Sequence, residues 1–404
     1  MTQHIQHLYE VLSKVDGYVY PNEIELNWSI LIVLYPYITG LVAGAFILAS
    51  LERIFKLHVL RPTYGIALLT ALSFMLVATM PLVSHLGKPM RAYEIMVTPH
   101  LSSAMAIFGF VYLWYLMVVL LLEIWFDYRR DMVIWASETT GLKRFLYRAF
   151  SLWSTDISPK AVALDNKLGY IVTIIGVPSA FLLHGYVGFI FGSIKANPWW
   201  STVLMPVIFL FSAIVSGISL VMLVYIVITR IRKLKIDMPC LDTIASYLFY
   251  ILLIDFVLEG LDQIHRIYIA EESFDVLHNL VFGRLFFTLF IMQGLIGTVI
   301  PLLTLGTLQF YKPKIQIRKA IYTIISPLIL IGIFFMRWNV VIGGQLFSKS
   351  FYGYTSFKIS LIGTEGYLMA AFWLIVPFII LSFLLWLFPP WKKKEDDQEI
   401  LVGQ

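Results

Sequence analysis

A single cysteine, Cys240, stands in 404 residues. One thiol forms no internal disulfide and cannot build a cysteine-ligated iron–sulfur or zinc site, so any such cluster must belong to another polypeptide. Charge is scarce as well. Asp, Glu, Lys and Arg make up 14% of the chain and hydrophobic residues 59%, whereas a soluble domain carries roughly a quarter charged residues. This composition excludes a soluble globular fold and makes lipid much of the solvent. The first 27 residues hold Glu10, Asp16, Glu23 and Glu25 with Lys14 as their one Lys or Arg. They lack the basic-then-apolar order of a cleavable signal peptide. The first helix is therefore expected to target the chain, and no soluble domain is expected before or after the helices. A net charge of +5 is read by side of the membrane, and nothing supports a nucleic-acid partner.

Long runs without Asp, Glu, Lys or Arg are abundant. They extend over Ile30–Ala49, Tyr64–Val83, Ala104–Leu122, Leu168–Ile194, Trp200–Thr229, Leu285–Phe310, Ala320–Met336 and Gly366–Trp391, and a shorter one begins near Leu241. Each approaches the roughly 20 residues that cross a bilayer core. The expected fold is an all-α integral membrane protein with about nine transmembrane helices.

The connections alternate in charge. After the first, third, fifth, seventh and ninth runs come basic groups such as Arg53, Lys56 and Arg61; Arg129, Arg130, Lys143, Arg144 and Arg148; Arg230 to Lys235; Lys312 to Lys319; and Lys392 to Lys394. The even-numbered connections hold few. The positive-inside bias predicts an extracytoplasmic N-terminus and a cytoplasmic C-terminus in the cell membrane. Four parts are expected: an extracytoplasmic segment over 1–27, a first helical bundle over 28–230, a second over 231–390, and a cytoplasmic tail over 391–404. The helices would form two four-helix bundles plus an extra helix. Residues 141 to 153 place Leu142, Phe145, Leu146, Ala149 and Trp153 on one helical face, away from Lys143, Arg144 and Arg148. That pattern predicts an interfacial helix on the cytoplasmic leaflet.

Polar groups inside a membrane are costly unless paired or solvated, so they point to function. Asp255, Glu259 and Asp262 share one face of the sixth helix by their spacing of four and three, and Arg266 continues that face. Arg284, at the start of the seventh helix, is the expected counter-charge for Glu259 or Asp262. Two readings stand for this group: a buried ion-pair network that locks helices together, or a proton path of carboxylates at successive depths. A second constellation gathers on the extracytoplasmic side of the first four helices. It comprises Asn27 and Trp28 before helix one, His85 and Arg91 at and after the end of helix two, His100 before helix three, and His184 and Tyr186 in helix four. Imidazole and phenol groups hydrogen-bond quinone oxygens, and histidine exchanges protons near neutral pH. Each alone also suits an ordinary interfacial role, since aromatics collect at membrane surfaces.

The stretch His85-Leu86-Gly87-Lys88-Pro89-Met90-Arg91-Ala92, followed by Thr98-Pro99-His100-Leu101-Ser102-Ser103, resembles the NrfD/PsrC family of membrane subunits. The likeness continues at His184-Gly185-Tyr186-Val187-Gly188-Phe189, at Asn197-Pro198-Trp199-Trp200-Ser201-Thr202 and from Leu204 to Leu210. This second part is most similar to the DsrP branch of sulfur-metabolising complexes, and the match weakens after about residue 230. The resemblance implies a subunit without haem or metal of its own. Such a subunit exchanges electrons between menaquinone, or a similar quinone, and a ferredoxin-like iron–sulfur subunit on the extracytoplasmic face. A multihaem cytochrome c and further membrane subunits are partners in that setting. The resemblance makes Asn27, with His184 or Tyr186, quinone contacts in the first bundle; some relatives have a histidine where Leu31 stands here. Two other classes compete. Intramembrane acids and the prolines Pro36, Pro81, Pro178, Pro206, Pro301 and Pro327 suit a proton-coupled secondary transporter or ion channel. A b-type cytochrome would need paired helix histidines, for which His85 and His184 are the one remotely suitable pair.

Overall fold

The computed structural model describes residues 15–391 apart from 27, 99, 101, 270–273, 358 and 359, together with residues 6, 9, 12 and 13. Among these residues, nine helices are long and apolar enough to cross a membrane. We number them α1 (Ile30–Phe55), α2 (His58–His85), α3 (Ala104–Glu138), α4 (Pro159–Gly192), α5 (Met205–Ile231), α6 (Met238–Tyr268), α7 (Phe287–Phe310), α8 (Ile315–Leu346) and α9 (Tyr367–Leu387). The protein is thus an all-α multi-pass membrane protein. The face on which α1 begins is called the N-side, and the opposite face the C-side.

Helix α1 is the axis of the fold. Every residue from Ile30 to Ser50 is buried, and the helix lies against α2, α4, α5, α8 and α9. Lipid tails are as apolar as leucine, so helices in a membrane associate through close packing rather than hydrophobic exclusion, and small residues mark the contacts. Two crossings show this. A Cβ added at Gly217 of α5 would lie 2.4 Å from the Cα of Gly44 in α1, and one added at Gly297 of α7 would lie 2.2 Å from the Cα of Gly332 in α8. A side chain at any of these four positions would force the helices apart. Helix α5 also packs on α8 and α6, and so joins the two halves of the chain. The last helix, α9, lies mainly against α2, with α1 beside it, so the chain returns to its first half at its end.

Two helices differ from the lengths their charge-free runs suggest. The sixth, expected to be short, runs 31 residues from Met238 to Tyr268; its acids interrupt the apolar run without interrupting the helix. The eighth continues past Met336, where the charge-free run stops, because Arg337 and Asn339 are buried inside it. The first part of α7, Phe287–Val299, is wound as a π-helix, a form that appears mostly at functional positions.

Outside the spans, a helix over Gly141–Phe150 has Leu142 and Phe145 exposed on the C-side. Trp153 lies beyond its end with a left-handed backbone (φ 56°). The Tyr147 hydroxyl donates to the Leu387 carbonyl at the end of α9 (2.7 Å). On the N-side the strand Asp16–Tyr18 pairs antiparallel with Tyr352–Tyr354 in the connection between α8 and α9. Glu23 reinforces this strap by accepting from the Ser348 hydroxyl (2.6 Å) and the Lys349 amide (3.0 Å).

Candidate functional site

Polar groups inside the helices collect at two levels, and the N-side level carries the candidate site. Ser29 caps α1 by accepting from the Leu31 amide (3.4 Å). Its hydroxyl also lies 3.4 Å from Nδ1 of His85, at the end of α2. The same Nδ1 is 3.0 Å from Glu365, just before α9. Three elements therefore meet at His85. Beside Ser29, Trp28 stacks on Trp200 (5.5 Å, 17°), and Phe191 stands edge-on to both rings. The aromatic series continues through Phe209 to the His184 ring, which stacks on it at 5.7 Å. Trp199 and Trp200 donate their indole N–H groups to the Asn339 and Val340 carbonyls of α8 (2.9 and 2.6 Å).

At the centre of this level lies Arg337, a guanidinium with no exposed surface. One of its terminal nitrogens faces three acceptors, the Ser212 hydroxyl (2.6 Å), Nε2 of His184 (3.0 Å) and the Phe209 carbonyl (3.3 Å), which share its two hydrogens. Guanidinium nitrogens only donate. Nε2 must therefore accept, the imidazole is neutral, and its proton sits on Nδ1, facing the Thr39 hydroxyl at 3.4 Å. Thr39 passes its own hydrogen to the Tyr35 carbonyl (2.9 Å). Both ring nitrogens of His184 are thus engaged, which leaves neither for a direct bond to a quinone oxygen or an iron atom.

The acids of α6 approach from the other side. Asp255 and Glu259 are the carboxylates whose field acts on Arg337, although among the described residues neither forms an ion pair with it. Asp255 is buried, with one oxygen that makes no hydrogen bond among the described residues. Glu259 accepts from the Gln293 amide (3.0 Å), Gln293 accepts from Asn339 (2.8 Å), and Asn339 accepts from Thr288 (2.6 Å). Asp262 is paired with Arg266 one turn away (2.6 Å). The expected pairing of Arg284 with Glu259 or Asp262 is not what forms. Arg284 donates to the Thr355 carbonyl (3.1 Å) and lies over the Tyr354 ring, because it precedes α7 and is held by the connection that follows α8. Arg266 takes the role expected of it toward Asp262.

The remaining expected residues fall as follows. Asn27 lies outside the described residues. Trp28 and His85 share the start of α1, and His184 is linked to them through the aromatic series. Arg91 is exposed and pairs with Glu94 (2.6 and 2.8 Å), and Tyr186 is half-buried against Phe189; neither joins the group. His100 is exposed. Arg337, Gln293 and Asn339 were not foreseen. The available signal was Arg337 itself, a charge only one residue beyond an apolar run long enough to span.

At the C-side level three arginines meet acids directly. Arg129 and Asp165 approach to 2.5 Å, with Ser154 and the Asp156 carbonyl completing the guanidinium's bonds. Arg53 holds the Tyr64 hydroxyl (2.7 Å) and Asp127 (3.4 Å), and Arg318 pairs with Asp242. Among the described residues, no three His, Cys, Asp or Glu side chains cluster as a metal-ligand set.

A nine-span helical membrane protein with a buried Arg–His–carboxylate level near one face is the class these features define. The chain belongs to the NrfD family, described as polysulphide reductase, NrfD, whose sequence model matches residues 20–349. The match thus extends well past residue 230. Among its relatives, a selenate reductase subunit of Mesobacillus selenatarsenatis is 28% identical over 78% of this chain and 73% of its own length. A putative membrane subunit of a dimethyl sulfoxide reductase from Halobacterium salinarum is 26% identical over 79% and 69%. The NrfD homologue of Haemophilus influenzae is 22% identical over 80% and 95%.

Proposed function

We propose that this chain is the quinone-handling membrane subunit of a respiratory reductase complex, and that it exchanges electrons between a menaquinone-like pool and an iron–sulfur partner. Its terminal substrate would be an oxidised sulfur compound or a related species, in line with the names of its relatives. The positive-inside bias argues that the N-side is extracytoplasmic, and the partner would dock there, over residues 86 to 101 and 191 to 200. Exposed Met90, Tyr93 and Val97 in the first of these segments suit burial by a protein.

The observation that carries the reading is His85. Its Nδ1 is engaged by Ser29 and Glu365, while Nε2 makes no hydrogen bond among the described residues, and the side chain retains 19% exposure at the end of α2. A quinone head fits such a group, because imidazole Nε2 donates to a carbonyl oxygen or accepts from a hydroxyl according to its tautomer. Trp28 supplies aromatic surface close by. When bound, the quinone supplies two-electron, two-proton chemistry. His85 holds or passes the proton at Nε2, and Glu365 orients the ring and compensates the imidazolium. His184 acts from behind the aromatic series, keeping Arg337 fixed, rather than as a contact. Asp255 and Glu259 would carry protons between this level and the interior.

The test is binding of a naphthoquinone inhibitor analogue to the purified complex, followed by fluorescence quenching. His85→Leu should weaken binding by at least about tenfold, the loss of one good hydrogen bond at a dry site. Unchanged affinity in His85→Leu, with the complex intact, would remove His85 from the site.

A further inference from the structure

Between α6 and α7 lies a cavity of about 360 Å³ whose lining includes neither His85 nor Ser29, Trp28 or Glu365. That volume falls within the range of small-molecule sites, roughly 300–1,000 Å³. Its rim includes Phe256, Phe282 and Phe290, all exposed on the surface of the helices, so it opens on the outer side of α6 and α7. Two polar groups inside are incompletely satisfied. Glu259 accepts from Gln293 through one oxygen, and the other makes no hydrogen bond among the described residues. Arg266 meets Asp262 through Nε and one terminal nitrogen and lies over the Trp199 ring, and its other terminal nitrogen makes no hydrogen bond among the described residues. Glu259 and Arg266 are seven residues apart on α6, two turns or about 10 Å along one face. A donor and a carboxyl therefore flank an otherwise apolar space.

Two backbone features keep that space open. Gly260 lines it, and a Cβ added there would meet nothing within 4 Å. A glycine in a helix interior is destabilising relative to alanine, so its place beside the opening calls for a reason other than helix formation or tight packing. The π-wound part of α7 brings Phe290, Gln293 and Gly294 to the opposite wall.

We propose that this cavity binds the ring head of a lipid-borne quinone or quinol, as a second site apart from His85. One ring oxygen accepts from Arg266. The other, as a hydroxyl, donates to the Glu259 carboxylate or, as a carbonyl, accepts from its protonated form. A neutral head suits the site better than a lipid phosphate does, because Asp262 already neutralises Arg266 and Glu259 would repel a second anion. The inference rests on the reading of the chain as quinone-handling.

Photolabelling separates the two. The intact complex in nanodiscs is irradiated with a photoreactive naphthoquinone, and the labelled peptides are mapped. We expect labelling both around His85 and on α6–α7. Gly260→Leu, which fills the cavity, should bring α6–α7 labelling to background without altering the His85 region. Glu259→Gln should reduce it about tenfold, the effect of one lost hydrogen bond to a charged group. Label at His85 alone overturns the second site and leaves the proposed function standing. Label at neither position overturns both. Label on α6–α7 that anionic phospholipid displaces and excess quinone does not makes the cavity a lipid crevice, and overturns the inference.

Discussion

The C-side and N-side levels are built from the same residue types and use them differently. On the C-side Arg129 touches Asp165 and Arg318 touches Asp242, each pair joining two helices near the membrane surface. On the N-side the hydrogen-bond partners of Arg337 among the described residues are neutral, namely Ser212, the Phe209 carbonyl, His184 and the Met336 sulfur. Its acids, Asp255 and Glu259, act on it through space. A contact pair fixes geometry, and its energy changes little unless it is broken. A charge held apart from its counter-charges by hydrogen-bonded neutral groups is sensitive to any proton that arrives between them. We propose that the first arrangement serves assembly and the second turnover.

The largest expected effects test that distinction through stability. Arg129→Leu should destabilise the protein by about 3–5 kcal/mol, since it strands Asp165, and Arg129→Leu with Asp165→Leu should recover most of the loss. Arg337→Met should cost a similar amount, about 3–5 kcal/mol, but no single acid replacement should restore it, because two carboxylates and a histidine depend on it. Thermal unfolding in detergent reads both series. Full recovery in Arg337→Met with Asp255→Asn would reduce the N-side level to an ordinary pair and erase the contrast.

Next in size are effects on activity with the fold intact. Asp255→Asn and Glu259→Gln should each lower proton-coupled turnover in vesicles by about 10²-fold, the lower range for a lost proton-transfer group, without loss of assembly. If both variants keep wild-type turnover and proton uptake, the acids of α6 are helix-to-helix glue and the two levels serve the same purpose.

The smallest effect lies outside the membrane. Burial raises the Glu23 carboxyl, but bonds from the Ser348 hydroxyl and the Lys349 amide, with the Lys349 ammonium nearby, outweigh it and hold the group below its ordinary 4.5. Its folded value being depressed, the stabilisation of the N-side strap is complete above the unfolded value and is lost as pH falls through the folded one. Hydrogen exchange at Tyr352 to Tyr354 should therefore quicken below about pH 4, where unperturbed carboxylates protonate. Glu23→Gln should remove that dependence, and an unchanged profile in the variant would assign it to another group.

Much of the fold was legible because lipid imposes a simple rule: long runs without charge span the membrane, and nine runs correspond to nine helices. The same rule hid the site. Arg337 and Glu123 each ended an apolar run in the sequence, yet α8 and α3 continue through them with both residues buried. The acids of α6 were visible by their spacing, and their cations were not. Arg337 is 153 positions from the histidine it contacts, and Arg284, expected as counter-charge because it opens the seventh helix at about the outer depth, is drawn off to Thr355 by a connection whose course no local pattern announces. Trp199 and Trp200 stood in the sequence only as part of the family-like stretch from Asn197 to Thr202, and nothing local shows that both indoles are buried against α8. Side-chain pairing across helices depends on rotation and depth, which apolar periodicity fixes poorly when nearly every face is apolar.

The most direct test of the account is electron transfer from quinol into the complex. Under anaerobic conditions the purified complex is mixed with a reduced naphthoquinol, and the iron–sulfur clusters of the partner are followed by electron paramagnetic resonance. The account predicts that the clusters become reduced, that Arg129→Leu with Asp165→Leu leaves the rate within about threefold of wild type, as expected for a structural pair, and that His85→Leu slows it by at least about tenfold. Clusters that stay oxidised in an intact wild-type complex, or that are reduced equally fast in His85→Leu, would contradict it.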